Sequence, residues 1–584
     1  MQKIWKIKKE INKKEKDRQQ AIINILLENR RIKREEQKEF FSSIDPKILT
    51  LQDIGIKKTN ISKVLKRLEE AKKQKQKIII YGDYDADGIN ATAILWETLY
   101  QLKFDVMPFL PHREKQGYGL KPNGIDAVIA KFGKPDLLIT VDNGIVAFEG
   151  ADYCQKLGID LIITDHHEAI PVSHKFPENK SLKKMPTCLA CLHSTQTSGA
   201  GISFLLAKEI IAKFNHIEQE DFSFLIELAT IGIIADLVPL LSASRSIVKK
   251  GLELLPKTKR PGLKSLFIES GIEAQEKFST YHIGFVIAPR LNATGRLDDP
   301  IDSLRLLCIK DQQRAIKLAL DLGLTNKNRQ NLTQESVDQV IQKIKTEKSK
   351  EKIIITSSQD YNPGIIGLIA GKITENFYRP SIVIAQMGEY SKGSARSVSG
   401  INIIEFLRQI ETNFVDLGGH EMAAGFTVLT AKLEEVQKKL EKLAAKQFSD
   451  KYLIPSIEVE TELEFTDLTL DLNKEIEKFE PFGVGNPKPV FMTKGLVIDS
   501  IVPVGRDGKH YKFLLSGEKK KIFQQANKLP VQNDANIEAI YFNVPKFVKE
   551  LQIGEEVDIA YQVDLNQWNG RQKLQLLIKD IKKD

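Results

Sequence analysis

The sequence predicts an α/β protein of two lobes joined by a long helix and completed by a small antiparallel β-barrel. Short apolar runs rich in β-branched residues alternate with helical stretches from Lys77 to about Leu255, and again from Ile353 to about residue 450. Residues 311 to 346 contain no proline and carry apolar positions at Leu318, Leu322, Val337, Val340, Ile341 and Ile344, which suits one connecting helix. After these the pattern changes to short alternating strands, at Val497–Val504, Tyr511–Leu515, Ala539–Val544, Val557–Val563 and Leu574–Ile578, with Asn569-Gly570 as a hairpin signal. At 584 residues the chain exceeds what one hydrophobic core serves.

Taken in order, residues 1–75 read as a helical basic segment, with apolar stripes at Ala21–Leu27 and Ile61–Leu68. From Met1 to Lys38 it holds thirteen Lys/Arg against six Asp/Glu, a net +7 within a chain total of +9. Such a patch could meet phosphates, although a lysine-rich solvated helix looks the same. Residues 76–255 form the first α/β lobe, 256–352 a connector with the long helix, 353–450 the second α/β lobe and 455–584 the barrel unit. Four cysteines cannot make a disulfide framework of the secreted kind, which points to a reducing compartment. No run of about 18 uncharged apolar residues and no signal-peptide core occur, so no membrane is expected and a cytoplasmic location is.

The chemistry lies where apolar runs end. Ile78-Ile79-Ile80-Tyr81 leads to Asp83, Asp85 and Asp87; Leu137 to Val141 leads to Asp142; Leu161 to Thr164 leads to Asp165-His166-His167. Read as buried parallel strands, these runs deliver all of the groups to the carboxyl edge of one sheet, and Asp236 closes a fourth apolar stretch, Ala229–Ala235. The spacing of Asp83, Asp85 and Asp87 would aim three carboxylates to one side of an extended backbone, with Gly88 turning the chain into a helix near Asn90. Converging anions repel unless a cation joins them. Carboxylates with imidazoles and no thiolate suit Mn²⁺ or Mg²⁺, and this much charge can hold two ions of the kind that assist phosphoryl displacement. Asp165 is expected to orient an imidazole. A single aspartate run is more often a turn or a cap; four segments ending four apolar runs reverse that reading.

Those residues carry a resemblance. Tyr81-Gly82-Asp83-Tyr84-Asp85-Ala86-Asp87-Gly88, Val141-Asp142-Asn143-Gly144, Thr164-Asp165-His166-His167-Glu168 and Gly232 to Pro239 resemble the four motifs of the DHH phosphoesterases, and in detail those of the RecJ family of single-strand-specific exonucleases. The likeness extends through Ala288–Arg296, Gly393–Ser397, Gly418–Gly425 and Pro481–Pro487, and covers the chain from about residue 77 to the end. It implies a DHH lobe, a DHH-associated lobe and a terminal OB-fold. It further implies a 5′ to 3′ exonuclease that releases mononucleotides from single-stranded DNA in recombination and repair, with a helicase and a single-strand-binding protein as possible partners; a monomer is the default expectation. Carried over, the metal ligands would be Asp83, Asp85, Asp87, Asp142, His166 and Asp236, with His167 a phosphate contact or proton donor. Arg113, Arg290, Arg296, Ser394, Arg396, Gly419 and His420 would bind substrate. Lys509, His510, Tyr511, Lys512, Phe513, Trp568 and Arg571 are possible strand contacts on the barrel.

The chain departs from the family pattern at Tyr361-Asn362-Pro363-Gly364, where Asn362 replaces a histidine, and around Cys188 and Cys191, where a surface loop is expected. Two rival readings are a DHH phosphodiesterase for cyclic dinucleotides or short oligonucleotides, and an inactive replication scaffold. The barrel, the basic segment and the long match speak against the first, and the intact set of candidate ligands speaks against the second.

Overall fold

A computed structural model of the chain describes residues 3–12, 15–169, 185–214, 222–272, 277–347, 351–505, 507–517, 536–568 and 571–583. The helical expectation for residues 1–75 fails at the outset, because β1 (Ile4–Ile7) is a strand paired in parallel with Ser456–Val459. Four residues are too few to display a period, and the partner is remote in sequence. The helices Arg18–Asn29, Gln37–Ser42 and Lys58–Gln74 make up much of the remainder.

The first lobe is built on β2 (Lys77–Tyr81), β3 (Asp105–Phe109), β4 (Leu137–Val141), β5 (Asp160–Asp165) and β6 (Ala190–His193), all parallel, in the order β3-β2-β4-β5-β6. Ile78, Ile80, Leu137 and Ile139 enter one core, while Ile79, Tyr81, Leu138 and Leu161 enter another on the opposite face. The two-residue period is therefore present but hidden, since helices cover both faces and both are apolar. Ala86–Gln101, Gly199–Phe214 and Ser223–Ala235 lie on the first face, and Pro122–Phe132 and Phe148–Leu157 on the second. Strand order reverses about β2, whose neighbours are β3 on one side and β4 on the other. A crevice opens at such a switch point, outside the carboxyl ends of β2 and β4.

The helix Gln312–Glu347 has 36 residues, about 54 Å at the standard rise. Ala319 and Leu322 in its first half belong to the first lobe's core, whereas Val337 and Val340 in its second half pack with Ile366, Ile369 and Val383 of the second lobe. That lobe contains β7 (Ile354–Ser358), β8 (Ser381–Met387), β9 (Tyr390–Arg396), β10 (Asp416–His420) and β11 (Ala423–Leu429), in the order β10-β11-β9-β8-β7. Only β7 and β8 run parallel.

β12 (Ser456–Val459) is the partner of β1. The chain then closes a five-stranded barrel from β13 (Phe491–Val504), β14 (His510–Ser516), β15 (Ile537–Tyr541), β16 (Glu556–Trp568) and β17 (Arg571–Lys583), in the order β13-β14-β15-β17-β16. The Asn569-Gly570 turn lies outside the described residues. Phe513, a candidate strand contact, is 1% exposed and belongs to the barrel core. The basic N-terminal segment is largely docked here too. Ile22, Ile23, Leu26 and Leu27 fill the barrel's core cluster, the Arg18 fork donates to Asp467 at 2.7 and 2.6 Å, and Arg30 Nη1 lies 3.2 Å from Glu460. Part of the positive charge is thus spent on structure. Among the described residues no helix is long and apolar enough to cross a membrane.

Leu26 is fully buried between its helix and the barrel. Leu26→Ala is expected to destabilise the barrel unit by about 2–5 kcal/mol, read as a lower urea midpoint of the far-ultraviolet β signal with the first lobe's helical signal retained.

Candidate metal centre

Three strand ends and two helix ends build the site. After β2 the chain passes Asp83, which is buried, and Asp85 becomes the N-cap of Ala86–Gln101, its Oδ1 accepting from Gly88 N at 3.0 Å. Asp87 sits inside the first helical turn. The carboxylates therefore do not alternate along an extended segment, and the helix starts at Ala86 rather than near Asn90. Gly88 is required for closeness and not for a turn, since a Cβ there would lie 2.7–2.8 Å from Asp83 atoms. Ala86 N donates to Asn292 Oδ1 at 2.7 Å, which ties this turn to the helix Ala288–Leu297.

Asp87 accepts from Ser198 Oγ at 2.8 Å, Gly199 N at 2.7 Å and Ala200 N at 3.1 Å, at the amino end of Gly199–Phe214, where peptide dipoles favour an anion. Asp142 follows β4 with φ of 63°, a left-handed conformation that a non-glycine residue keeps only when its surroundings impose it. Gly199 is the neighbour that permits this, because a Cβ on it would approach the Asp142 carboxylate to 2.6 Å. Asp236 caps the end of Ser223–Ala235.

These groups converge on His166. Its Nε2 lies 3.0 Å from Asp142 Oδ1, 3.4 Å from Asp236 Oδ2 and 3.9 Å from Asp87 Oδ2. Potential ligand atoms of Asp83, Asp85 and Asp142 fall within 4.8 Å of one another, as do those of Asp87, His166 and Asp236 and those of Asp142, His166 and His167. Asp83 Oδ1, Asp142 Oδ1 and His166 Nε2 are buried and make no hydrogen bond, the last two lying 3.0 Å apart without bonding geometry. Buried polar atoms are normally satisfied, so these three atoms, which belong to adjoining clusters that share Asp142, fit hard divalent cations.

The electrostatics agree. Burial, followed by repulsion from Asp85, pushes Asp83 up to about 8. Burial and then Asp87 and Asp85 push Asp236 up to about 8, and Asp142 rises well above the carboxylate range for the same kinds of reason. Burial lowers His166, leaving its imidazole neutral and able to ligate. His167 differs. Burial works against its charge, but a 2.8 Å contact from Nδ1 to Asp165 Oδ1 prevails and raises it to about 9. Asp165 also accepts from Ile145 N at 2.8 Å and His166 N at 2.7 Å, so the expected orienting role falls on His167, not His166. The other ring nitrogen of His167 lies 3.0 Å from Tyr118 Oη.

The arginines are divided. Arg113 stacks 4.3 Å over the Tyr84 ring and donates to Gly295 O at 3.2 Å. Arg296 is lowered to about 10, by burial first and then by Arg113, Arg329 and Arg396, so these guanidinium groups stand near enough to act on it, as does Asp85. Among the described residues none of the four has a carboxylate within ion-pair distance. Arg396 Nη1 donates to Ser394 Oγ at 3.2 Å. Register places His420 and Arg396 on one rung of the sheet, opposite Ala423 from either side, and Ser394 two rungs along with Gly425 and Gly418. Gly419 has φ of 147° and lies on the other face, close to Ala424. Arg290 does not join the group: its Nε donates to Glu269 at 2.6 Å and Nη1 to Val286 O, which leaves it a structural ion pair. Asn362 turns inward, its Oδ1 accepting from Gly364 N at 2.8 Å. Arg329 and Tyr118 were not legible as site residues. Arg329 lies within a long amphipathic helix and Tyr118 in a loop, where neither has a local motif.

Family comparison matches residues 77–233 to the DHH family N-terminal domain, 350–446 to the DHHA1 domain and 459–580 to the RecJ OB domain. The single-stranded-DNA-specific exonuclease RecJ of Haemophilus influenzae is 31% identical over 540 residues, covering 89% of this chain and 90% of that protein. The Bacillus subtilis RecJ is 33% identical over 518 residues, but the chain spans 62% of its length. A crystal structure of Thermus thermophilus RecJ in complex with Mn²⁺ superposes with a TM-score of 0.78 at 26% identity, over 100% of this chain and 80% of that one. A Mg²⁺ complex from the same source gives 0.73 at 25%, over 100% of this chain and 78% of that one.

Without a cation, Asp83 and Asp236 are protonated in the folded state up to about pH 8, whereas in an unfolded chain they ionise near pH 4. The folded form then binds more protons across this window, so metal-free stability falls as pH rises. Mn²⁺ binding expels those protons. The thermal midpoint of chelator-treated protein is expected to drop from about pH 6 to about pH 8, and the upward shift caused by Mn²⁺ to grow over the same range.

Proposed function

The chain belongs to the RecJ family of single-stranded-DNA-specific exonucleases, and from that premise we propose that it hydrolyses single-stranded DNA from the 5′ end, with divalent metal, to 5′-mononucleotides in recombination and repair. The observation that carries the reading is the adjacency of a carboxylate–imidazole cage to a group of four arginines without carboxylate partners among the described residues. Asp83, Asp85, Asp87, Asp142, His166 and Asp236 would hold two ions, Mn²⁺ or Mg²⁺. Such ions supply positive charge to the oxygens of the scissile phosphodiester.

The chain's own groups do the rest. Asp165 fixes the His167 ring, and with an affinity for protons raised to about 9 that imidazole carries one at neutral pH, ready to contact the phosphate or protonate the departing oxygen. Tyr118 Oη steadies the second nitrogen. Arg113, Arg296 and Arg396, with Ser394, are suited to the dianionic 5′-terminal phosphate, since guanidinium forks bind such oxygens in pairs. Arg329 adds a fourth charge. Polarity would follow from capture of a terminal 5′ phosphate by these arginines. Arg296 Nη1 donates to Gly364 O at 3.2 Å, and a Cβ on Gly364 would lie 2.1 Å from Arg296 O, so the two lobes touch beside them.

His420 and the side-chain-free positions Gly418 and Gly425 offer an open floor beyond them; a Cβ at Gly418 would meet nothing within 4 Å. Lys509, His510, Tyr511 and Lys512 on the barrel would continue the path, while the side chains of Trp568 and Arg571 lie outside the described residues. On the same reading the protein is a cytoplasmic monomer that works with a helicase and a single-strand-binding protein.

A long single strand labelled at either end, incubated with Mn²⁺, should release mononucleotides from the 5′ label first; release from the 3′ end, or preference for a dinucleotide, would refute the proposal. Asp142→Asn should lower kcat by about 10³-fold or more, the several kcal/mol that metal charge supplies, with an unchanged circular dichroism spectrum. Arg396→Lys should cut kcat/KM by about 10- to 100-fold on a 5′-phosphorylated strand, and much less on a 5′-hydroxyl strand.

A further inference from the structure

The segment Pro481–Pro487, conspicuous in the sequence, contributes no group to the site, yet it lies against the residues that follow Asp236. That stretch leaves its helix under strain. Leu237 has φ of 59° and Ser242 φ of 44°, two left-handed residues bracketing Val238 to Leu241. L-residues hold such angles only when neighbours impose them. The stretch between Leu237 and Ser242 packs on the loop's backbone and its glycines. Leu240 N donates to Val484 O at 2.8 Å; a Cβ on Gly483 would lie 2.7 Å from Leu240 Cδ1, and one on Gly485, whose φ is 76°, would lie 3.1 Å from Pro239 Cβ.

The loop is itself locked. Gly483 and Asn486 exchange backbone hydrogen bonds at 2.9 and 3.1 Å, and the buried Asn486 Nδ2 donates to Phe479 O and Pro481 O at 2.7 and 3.0 Å. Two further ties hold it to the first lobe. Thr280 Oγ1 donates to Phe482 O at 2.7 Å. Arg245, buried just beyond the strained stretch, spends its guanidinium on carbonyls, with Nη2 to Glu480 O at 2.7 Å, Nη1 to Pro481 O at 3.3 Å and Nε to Phe40 O at 2.9 Å.

We propose that Pro481–Pro487 is a positioning element for Asp236: by seating on Pro239 to Leu241, the root of the barrel unit sets where this carboxylate stands in the metal cage. Val484 and Gly485 are then positioning residues rather than catalytic ones, and docking of the barrel is coupled to metal affinity. The inference rests on the reading of Asp236 as a metal ligand.

The test is Mn²⁺ titration of the full chain, without DNA, by calorimetry and by loss of the free-ion paramagnetic resonance signal. Asp236→Ala identifies the ion that depends on this carboxylate. Gly485→Ala should weaken that same ion by about tenfold, the scale seen when a group supporting a ligand is lost, and leave the other unchanged. Gly508→Ala is the control, since Gly508 has φ of 58° in the barrel with nothing within 4 Å of its Cβ position, so it adds comparable strain without touching the first lobe. Should Gly485→Ala not fold, Thr280→Val, which removes one hydroxyl tie, decides in its place by weakening the same ion by at least about twofold. Wild-type Mn²⁺ affinity in Gly485→Ala, or in Thr280→Val where that variant decides, overturns the positioning role. Retention of both ions in Asp236→Ala overturns the ligand assignment instead.

Discussion

Six aspartates and two imidazoles within one crevice are held together against their own repulsion, and the rest of the molecule is arranged around that fact. Ionised carboxylates in a dry environment cost far more than their hydrogen bonds return. Only Asp87, seated on the amino end of Gly199–Phe214, and Asp165, bridged to His167, are well served by the protein alone. Asp83, Asp142 and His166 keep buried atoms without a hydrogen-bond partner. The fold accepts this cost because the strands that carry the groups are braced elsewhere, by two apolar cores packed on opposite faces of a parallel sheet. A divalent ion is in this sense part of the folded state, and protons are its substitute when it is absent.

The second requirement is distance. A group that grips substrate helps catalysis only if it stands at a constant separation from the metal cage, and here the arginines of the proposed phosphate site come from both lobes. The helix Gln312–Glu347 supplies the constancy. It contributes apolar residues to both cores, so a tilt of one lobe against the other would have to break packing at one end of a rigid rod. Arg329 stands near its middle, where the two cores meet, and Arg296 reaches across to Gly364. Burial lowers both Arg296 and Arg396, and repulsion from the neighbouring guanidinium groups lowers Arg296 further, which is the electrostatic setting that an anion would relieve.

Much of this was legible in the residues. Buried parallel strands announce themselves as short β-branched runs, and acids at their ends point to the carboxyl edge of the sheet, which is why Asp142 and His166 could be placed together from the residues alone, whereas the apolar run before Asp236 is a helix. What stayed hidden depends on three-dimensional neighbours. Arg290 looks as suited to phosphate as Arg296, and only Glu269, brought close by the packing of Pro261–Glu269, removes it. Arg329 carries no local signal because its partners come from three other elements. The assignment of Gly88 to a turn was reasonable from spacing, yet its role is to let Asp83 lie against the helix. Ile4–Ile7 is too short to declare a strand, and only its mate shows what it is.

That last pairing has a consequence for biogenesis. β1 leaves the ribosome well before Ser456–Val459 and the barrel that accepts Ile22 and Leu26. At about 5–20 residues per second the gap amounts to roughly 20–90 s, during which an unsatisfied edge and an oily helix are held open to chance encounters. The lysines crowded into this stretch then take on a protective meaning. They keep a waiting strand in water until its distant mate arrives.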